Sequence, residues 1–379
     1  MPHNPSWARF AGRVATGAVE CVDLAVAPER LRGGLWFVVV DFEADLGGGA
    51  TGRPGRARAW RFAHVADDDA RHRRPTRWTG PQAGTWRSSL DRDAYQQAVA
   101  RVREHVRDGD VYQANVCRVL SAPLPVSDTG DEPDAAALAA VLAAGNPAPH
   151  AAAVHVPAGH GIDPVWVVSA SPELYLTLDG DRLTSGPIKG TARTPGGLTA
   201  KDRAENIMIT DLVRNDLQRV CRAGSIEVTD LLAVEHHPGL VHLVTRVHGT
   251  LTADVAASPH LWRDVLAATF PPGSVSGAPK SSALRLIGQL EPVPRGPYCG
   301  AVGWIDGDAG RAELAVGIRT FWWERDPGGG TLRFGTGAGI TWGSDPDAEW
   351  HETELKAARL TALASTPDDS PPPTSSEPA

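Results

Sequence analysis

Ser169-Ala170-Ser171-Pro172-Glu173-Leu174-Tyr175-Leu176-Thr177-Leu178-Asp179-Gly180-Asp181-Arg182-Leu183-Thr184-Ser185-Gly186-Pro187-Ile188-Lys189-Gly190-Thr191 reads as two strands folded back on one another. Leu174 to Leu178 is a strand-like run, Asp179-Gly180 is a favoured hairpin pair, and Arg182-Leu183-Thr184 returns alongside. The fold-back brings both ends together, so Glu173 and Lys189 meet at one end of a sheet although sixteen positions separate them. A carboxyl group beside an amine suits proton transfer and nucleophilic chemistry.

Composition singles out that lysine. Of 37 Lys and Arg residues only four are lysine, Lys189, Lys201, Lys280 and Lys356. Where a positive charge suffices, the chain uses arginine. A lysine that survives such a bias points to a need for a compact, deprotonatable amine, which a guanidinium cannot supply.

At 379 residues, 42% apolar and with a net charge of −8, the chain can bury a large core and has no long basic run. Nucleic acid and bulk membrane surfaces are therefore poor partners, and a small-molecule ligand is the better expectation. Cys21, Cys117, Cys221 and Cys299 lie far apart without metal-type spacing, so free thiols, no zinc and a reducing compartment are expected. With neither a signal-like start nor an apolar run long enough to span a bilayer, the expected location is the cytoplasm.

Residues 1–85 contain an apolar strand at Leu35–Val40 and a Gly/Arg-rich loop from Gly47 to Arg58. Asp91 caps a helix with Tyr95, Val99, Val102 and Val106 on one face, ended at Gly109. A strand follows from Val111 to Leu120, with Gln113 and Asn115 on one side; that amide pair is either satisfied core polarity or a ligand contact. An alanine-rich helix from Asp134 to Gly145 and strands at Ala151–Val156 and Val165–Ser169 lead into the hairpin. The next helix, from about Ala200 to Leu217, places Glu205 in the stripe of Met208, Ile209 and Leu212, so its carboxylate needs a cation, a metal or a proton unless it reaches solvent. Asp211, Arg214, Asn215 and Asp216 read as an ordinary cap and ion-pair cluster.

Glu235-His236-His237 precedes a strand at Val241–Val247, and His242 on that strand is a ligand contact or a core hydrogen-bonding group rather than a zinc ligand. Pro271–Lys280 is a Gly/Ser loop feeding a helix start, suited to an anion but lacking the Walker pattern. Strands are expected at Tyr298–Ile305, Ala312–Trp323 and Leu332–Phe334. The run Gly335-Thr336-Gly337-Ala338-Gly339 would let backbone approach a ligand. A last helix, capped at Asp345, sets Glu349, Glu352 and Lys356 on one face, either as a solvated ladder or as part of a site. The tail 365–379 should be disordered. Glu205 and Glu352, from two helices, could ligate a Mg²⁺ that also holds a substrate carboxylate, and Arg319 a second carboxylate, which points to a dicarboxylate ligand.

These stretches resemble, jointly and in order, the motifs of the chorismate-utilising enzymes. They are Gly109-Asp110-Val111-Tyr112-Gln113, Ser171-Pro172-Glu173, the PIKGT stretch ending at Thr191, Glu205 to Ile209, Asp211 to Leu217, Gly277 to Lys280, Ile318-Arg319-Thr320, and Glu352-Thr353 with Lys356. Within that family they most resemble component I of aminodeoxychorismate synthase; anthranilate synthase component I and the isochorismate and salicylate synthases are similar but more distant. The resemblance implies a large α+β domain with two packed, mainly antiparallel sheets surrounded by helices. It would run through residues 86–364, with 1–85 as a short N-terminal part in which no tryptophan feedback motif is found.

For the site, the resemblance implies Lys189 as a nucleophile on the chorismate ring, replaced by alanine in anthranilate synthases, and Glu173 as general acid. It implies Mg²⁺ on Glu205 and Glu352, with Glu349 helping through water. Arg319 and Tyr298 would hold the enolpyruvyl carboxylate. Gly190, Thr191, Gly339 and Lys356 would surround the ring carboxylate, with Gly277 and Gly337 also against substrate, and His242 would line the ring. Gln113 stands where water-using relatives carry a lysine base, which implies ammonia as nucleophile. No cysteine sits in a glutaminase nucleophile context, so a separate glutamine amidotransferase subunit, or free ammonia, is the implied nitrogen source. The alternatives are anthranilate synthase component I and a catalytically silent chorismate-binding protein.

Overall fold

The computed structural model describes residues 5–47, 51–68, 77–159, 161–192, 194–237 and 240–366. The strands in chain order begin with β1 (Trp7–Phe10), β2 (Arg13–Asp23), β3 (Leu35–Val40), β4 (Ala57–Asp67), β5 (Arg87–Ser88) and β6 (Gln113–Pro123). They continue with β7 (His150–Val156), β8 (Val165–Ser171), β9 (Leu174–Asp179), β10 (Arg182–Gly186), β11 (Ile188–Ala192) and β12 (Glu227–His237). The last are β13 (Leu240–Thr250), β14 (Gly277–Ala278), β15 (Ala301–Asp306), β16 (Arg311–Val316), β17 (Thr320–Glu324) and β18 (Thr331–Ile340). The helices are α1 (Arg92–Arg107), α2 (Ala135–Gly145), α3 (Ala200–Gln218), α4 (Ala253–Ala257), α5 (Leu261–Thr269), α6 (Lys280–Leu290) and α7 (Pro346–Ala364).

Antiparallel pairing builds two walls. One runs β12-β13-β10-β9-β16-β15-β3-β4-β2, with β11 also on β13. The other runs β1-β7-β8-β17-β18-β6, with β5 and β14 on β6. Because β1 also pairs with β2, hydrogen bonding is continuous where the walls join. Val38, Trp60, Leu176 and Leu314 of the first wall meet Val119, Val154 and Val167 of the second in one apolar core. This is the α+β architecture of packed antiparallel sheets that the sequence implies.

The second wall is covered on its other face as well. Leu138, Leu142 and Leu360 pack on Trp166, Phe321 and Phe334, while Tyr95, Val99 and Leu286 pack on Val116 and Ile340. Each such side chain, fully buried, contributes about 1.5–3 kcal/mol. Covering on both sides is why β6 is buried continuously from Gln113 to Leu120, with Gln113, Asn115 and Arg118 as its polar members. Local signals set the helix starts: Asp91 accepts from Ala94 N at 2.8 Å, Asp134 from Ala136 N at 2.9 Å, and Asp345 from Ala348 N at 2.9 Å. Thr199 and Asp202 add a reciprocal capping box at the start of α3. Among the described residues no helix is long and apolar enough to cross a membrane.

Several expectations are corrected. The strand expected at Leu332–Phe334 does not stop there: the Gly335–Gly339 run continues it as β18, paired residue by residue with β6. Its alternate glycines share one face because protein already fills that face: a Cβ at Gly335 would lie 2.0 Å from the Tyr298 ring, and one at Gly337 2.4 Å from Cys117 Sγ. Glu235 and His236 belong to a strand, β12, that the sequence reading passed over. The expected Ala312–Trp323 strand breaks at Gly317–Arg319, and Tyr298 sits in the turn before β15. On α3 the fully buried stripe runs through Asn206, Ile209, Val213 and Leu217, leaving Glu205 at its margin. Asp216 is no surface cap: it is buried and accepts from Lys280 Nζ at 2.7 Å. Ser365 and Thr366, assigned to the tail, are ordered, with Thr366 N donating to Pro81 O at 3.0 Å. The rest of the tail lies outside the described residues.

Candidate active site

The β9–β10 hairpin pairs Asp179 with Arg182 and Leu178 with Leu183, so its two-residue loop is Gly180–Asp181, one position later than expected. After Gly186, Pro187 ends that pairing and the chain continues as β11 along β13. Glu173, in the turn between β8 and β9, is thereby brought to the start of β11, where its carboxylate accepts from Ile188 N at 3.4 Å. Lys189 follows, donating from Nζ to Ser274 O at 3.2 Å. The hairpin thus brings acid and amine to a common neighbour, Ser274, close enough for their charges to act on one another.

The environment moves the two groups toward each other in acidity. Burial raises the Glu173 carboxyl above its ordinary value, although a hydrogen bond from Ser274 and the Lys189 charge pull the other way. Burial lowers the Lys189 amine; Glu205, Glu173 and Glu352 oppose this, and Lys356 adds to it. A water-sized cavity of about 20 Å³ is lined by Glu173 together with Tyr175, Ser185, Asp216 and Thr269.

Ser274 is the residue sequence reading missed. Its hydroxyl meets Glu173, and its carbonyl accepts both from Lys189 and from Asn115 Nδ2 at 3.0 Å. The loop carrying it was legible as a ligand loop, but this contact depends on three distant segments converging. Gln113 is buried, touches Asn115 at 3.4 Å through one end of its amide, and has no partner for the other end among the described residues. That open hydrogen-bonding position favours a ligand contact over satisfied core polarity. Gly339 borders it, since a Cβ there would lie 2.3 Å from the Gln113 amide nitrogen.

Other expected site residues fall out unevenly. Arg319 adopts φ +52° in the β16–β17 break, its carbonyl is held by Ala170 N at 3.0 Å, and its half-buried guanidinium has no partner among the described residues. Burial lowers its pKa. His242 is buried and lies opposite Thr191 in the β11–β13 register, next to Gly190 and Lys189; the side chain of Thr191 lies outside the described residues. Tyr298 is buried against Gly335 and accepts from Cys117 Sγ at 3.9 Å. Gly277, at φ +151°, is buried where a Cβ would lie 2.3 Å from Gln113 O, so its missing side chain allows the close β14–β6 pairing.

The expected metal acids approach from two helices. Lys201 Nζ stands 3.7 Å from Glu205 of α3 and 3.6 Å from Glu349 of α7, so both carboxylates converge on one ammonium. Glu352 instead pairs with Lys356 at 2.6 Å, and Lys356 also donates to Gly337 O at 3.1 Å, which qualifies its expected place at the ring carboxylate. Burial raises the Glu349 carboxyl. Burial also opposes the charge on Glu352, but Lys356, with Lys201 and Lys189, outweighs it and holds that carboxyl below its ordinary value. Hard oxygen donors on facing helices fit Mg²⁺ in kind. Among the described residues, however, no three ligating side chains stand close enough to grip an ion as they are.

Known proteins resemble this chain in sequence and in fold. Residues 56–362 match the family described as chorismate binding enzyme. The chain is 38% identical over 290 residues to anthranilate synthase component 1 1 of Haloarcula marismortui, covering 73% of this chain and 54% of that protein. It is 34% identical over 287 residues to aminodeoxychorismate synthase component 1 of Escherichia coli, covering 73% of this chain and 58% of that protein. The chain thus matches just over half the length of these curated relatives. A crystal structure described as a putative 2,3-dihydroxybenzoate-specific isochorismate synthase, DhbC, from Bacillus anthracis shares the fold, with TM-score 0.72, 23% identity and 94% and 96% of the two chains covered. Anthranilate synthase component I from Streptococcus pneumoniae does so at TM-score 0.69 and 22% identity, covering 95% and 91%. On the family match and these relatives, the chain belongs to the chorismate binding enzymes.

Proposed function

We propose that this protein is an aminodeoxychorismate synthase component I, replacing the C4 hydroxyl of chorismate by an amino group. The single observation that carries this reading is the placement of Lys189 beside Glu173, with burial lowering the amine and raising the acid. A lowered amine supplies more neutral nucleophile, and a raised carboxyl retains a proton to deliver. Lys189 Nζ attacks ring C2, the two conjugated ring double bonds each move one place toward C4, and the C4 hydroxyl leaves as water with the proton of Glu173. Ammonia then attacks C4, both double bonds return, Lys189 departs as the neutral amine, and Glu173 takes back a proton from the new ammonium.

The open end of the Gln113 amide supports an N–H-bearing nucleophile, and a neutral amide cannot serve as the base that water would need. The unpartnered Arg319 would take the enolpyruvyl carboxylate, with Tyr298 beside it. Glu205, Glu349 and Glu352 would hold a magnesium ion, which supplies charge neutralisation at the ring carboxylate. Nitrogen would come from a glutamine amidotransferase partner.

Anthranilate synthase is the second reading, because relatives of that name match at similar identity. Incubation with chorismate, Mg²⁺ and ammonium decides between them. The proposal expects 4-amino-4-deoxychorismate; anthranilate and pyruvate would support the second reading. Ligand binding without turnover would leave a silent binding protein.

A further inference from the structure

We infer that Lys201 is a built-in counter-cation of the acid pair: its ammonium occupies the point at which Glu205 and Glu349 converge and must leave before a divalent ion can bind there. This rests on the magnesium reading above and assigns a positioning role to a residue outside it. Lys201 opens the first turn of α3, one turn before Glu205, and reaches Glu349 on α7 as well. One flexible side chain therefore ties the two helices that carry the acids.

Accessibility decides which group moves. The Lys201 side chain is 55% exposed, whereas those of Glu205 and Glu349 are 18% and 5% exposed. The ammonium can swing into solvent while the carboxylates stay. Its 3.6 and 3.7 Å contacts are also looser than the roughly 2.1 Å that Mg²⁺ makes with oxygen, so an ion draws the acids closer than the lysine does. Without an ion, Lys201 offsets the repulsion between the acids; with one, it competes.

The test is Mn²⁺ binding by the full chain, read by electron paramagnetic resonance, in wild type, Lys201→Gln, Lys201→Arg and Glu205→Gln. Loss of one cation at this distance predicts Mn²⁺ binding about fivefold tighter or more in Lys201→Gln, and near wild type in Lys201→Arg. The same Lys201→Gln variant should melt lower than wild type without metal and regain the difference at saturating Mg²⁺. Unchanged or weaker Mn²⁺ binding in Lys201→Gln, with Glu205→Gln impaired, overturns the role of Lys201 and leaves the metal site standing. If Glu205→Gln binds Mn²⁺ as well as wild type, the metal reading falls and this inference falls with it.

Discussion

Two arginines near the same end of the molecule have opposite fates. Arg295 is fully buried, and its guanidinium donates to both Glu291 oxygens at 2.8 and 2.6 Å, to Val275 O at 2.8 Å and to Asn115 O at 3.1 Å, over the Phe42 ring at 4.1 Å. Arg319 is half-buried, sits on left-handed backbone and donates to nothing among the described residues. The lysines repeat the contrast. Lys280 is locked to Asp216 and to Thr269 O, whereas Lys189 has one carbonyl and a nearby acid. Charges that hold this fold together are saturated by partners. Charges aimed at the candidate site keep hydrogen-bonding capacity in reserve, which costs stability and gives a ligand something to complete.

That contrast can be broken at either side. Arg295→Ala leaves the Glu291 carboxylate buried without its cation, and should destabilise the protein by about 3–5 kcal/mol in denaturant unfolding. A loss below about 1 kcal/mol would show that the cluster is not the structural anchor. Lys189→Ala should cost at least about a thousandfold in chorismate amination, yet leave the melting temperature unchanged or higher, because a partly buried amine disfavoured by burial has gone. A parallel drop in stability would make Lys189 structural.

Arg319→Ala should raise KM for chorismate about 10- to 100-fold, the worth of a charge-assisted hydrogen bond, with no loss of folding stability. Unfolding of this variant would contradict the idea of a charge held open for ligand. The smallest effect is in pH dependence. Glu173, harder to ionise in the folded state, lowers stability as pH rises through its raised pKa; Lys189, harder to protonate, lowers it as pH falls through its lowered pKa. Turnover needs the acid protonated and the amine neutral, so the rate profile should be a bell. Its limbs should lie inside the ordinary range of 4.5 to 10.5 for these two groups. Glu173→Gln should abolish the limb that belongs to the acid.

Local chemistry explains what was legible. Asp91, Asp134 and Asp345 cap their helices through contacts within three residues, and the Leu174–Gly186 hairpin closes through its own turn, so both could be read directly. The convergence of Glu173 and Lys189 follows from that turn. β12 was not legible because its apolar residues fall in a run, Leu231-Leu232-Ala233-Val234, beside register shifts at Asp230, so no clean alternation marks it. Glycines are poor strand formers, and β18 keeps Gly335, Gly337 and Gly339 only because Tyr298, Cys117 and Gln113 arrive from elsewhere to lie on them. Ser274 and Lys201 were missed for the same reason: each gains its meaning from a partner more than 80 positions away, Glu173 for the one and Glu349 for the other.

The most direct test is the intact mass of the protein with chorismate and Mg²⁺ and without ammonia. The account predicts an adduct equal to chorismate less one water, carried on Lys189, absent from Lys189→Ala and discharged to 4-amino-4-deoxychorismate when ammonium is added. An unmodified protein that still converts chorismate to an aminated product, or an adduct that persists in Lys189→Ala, would contradict it.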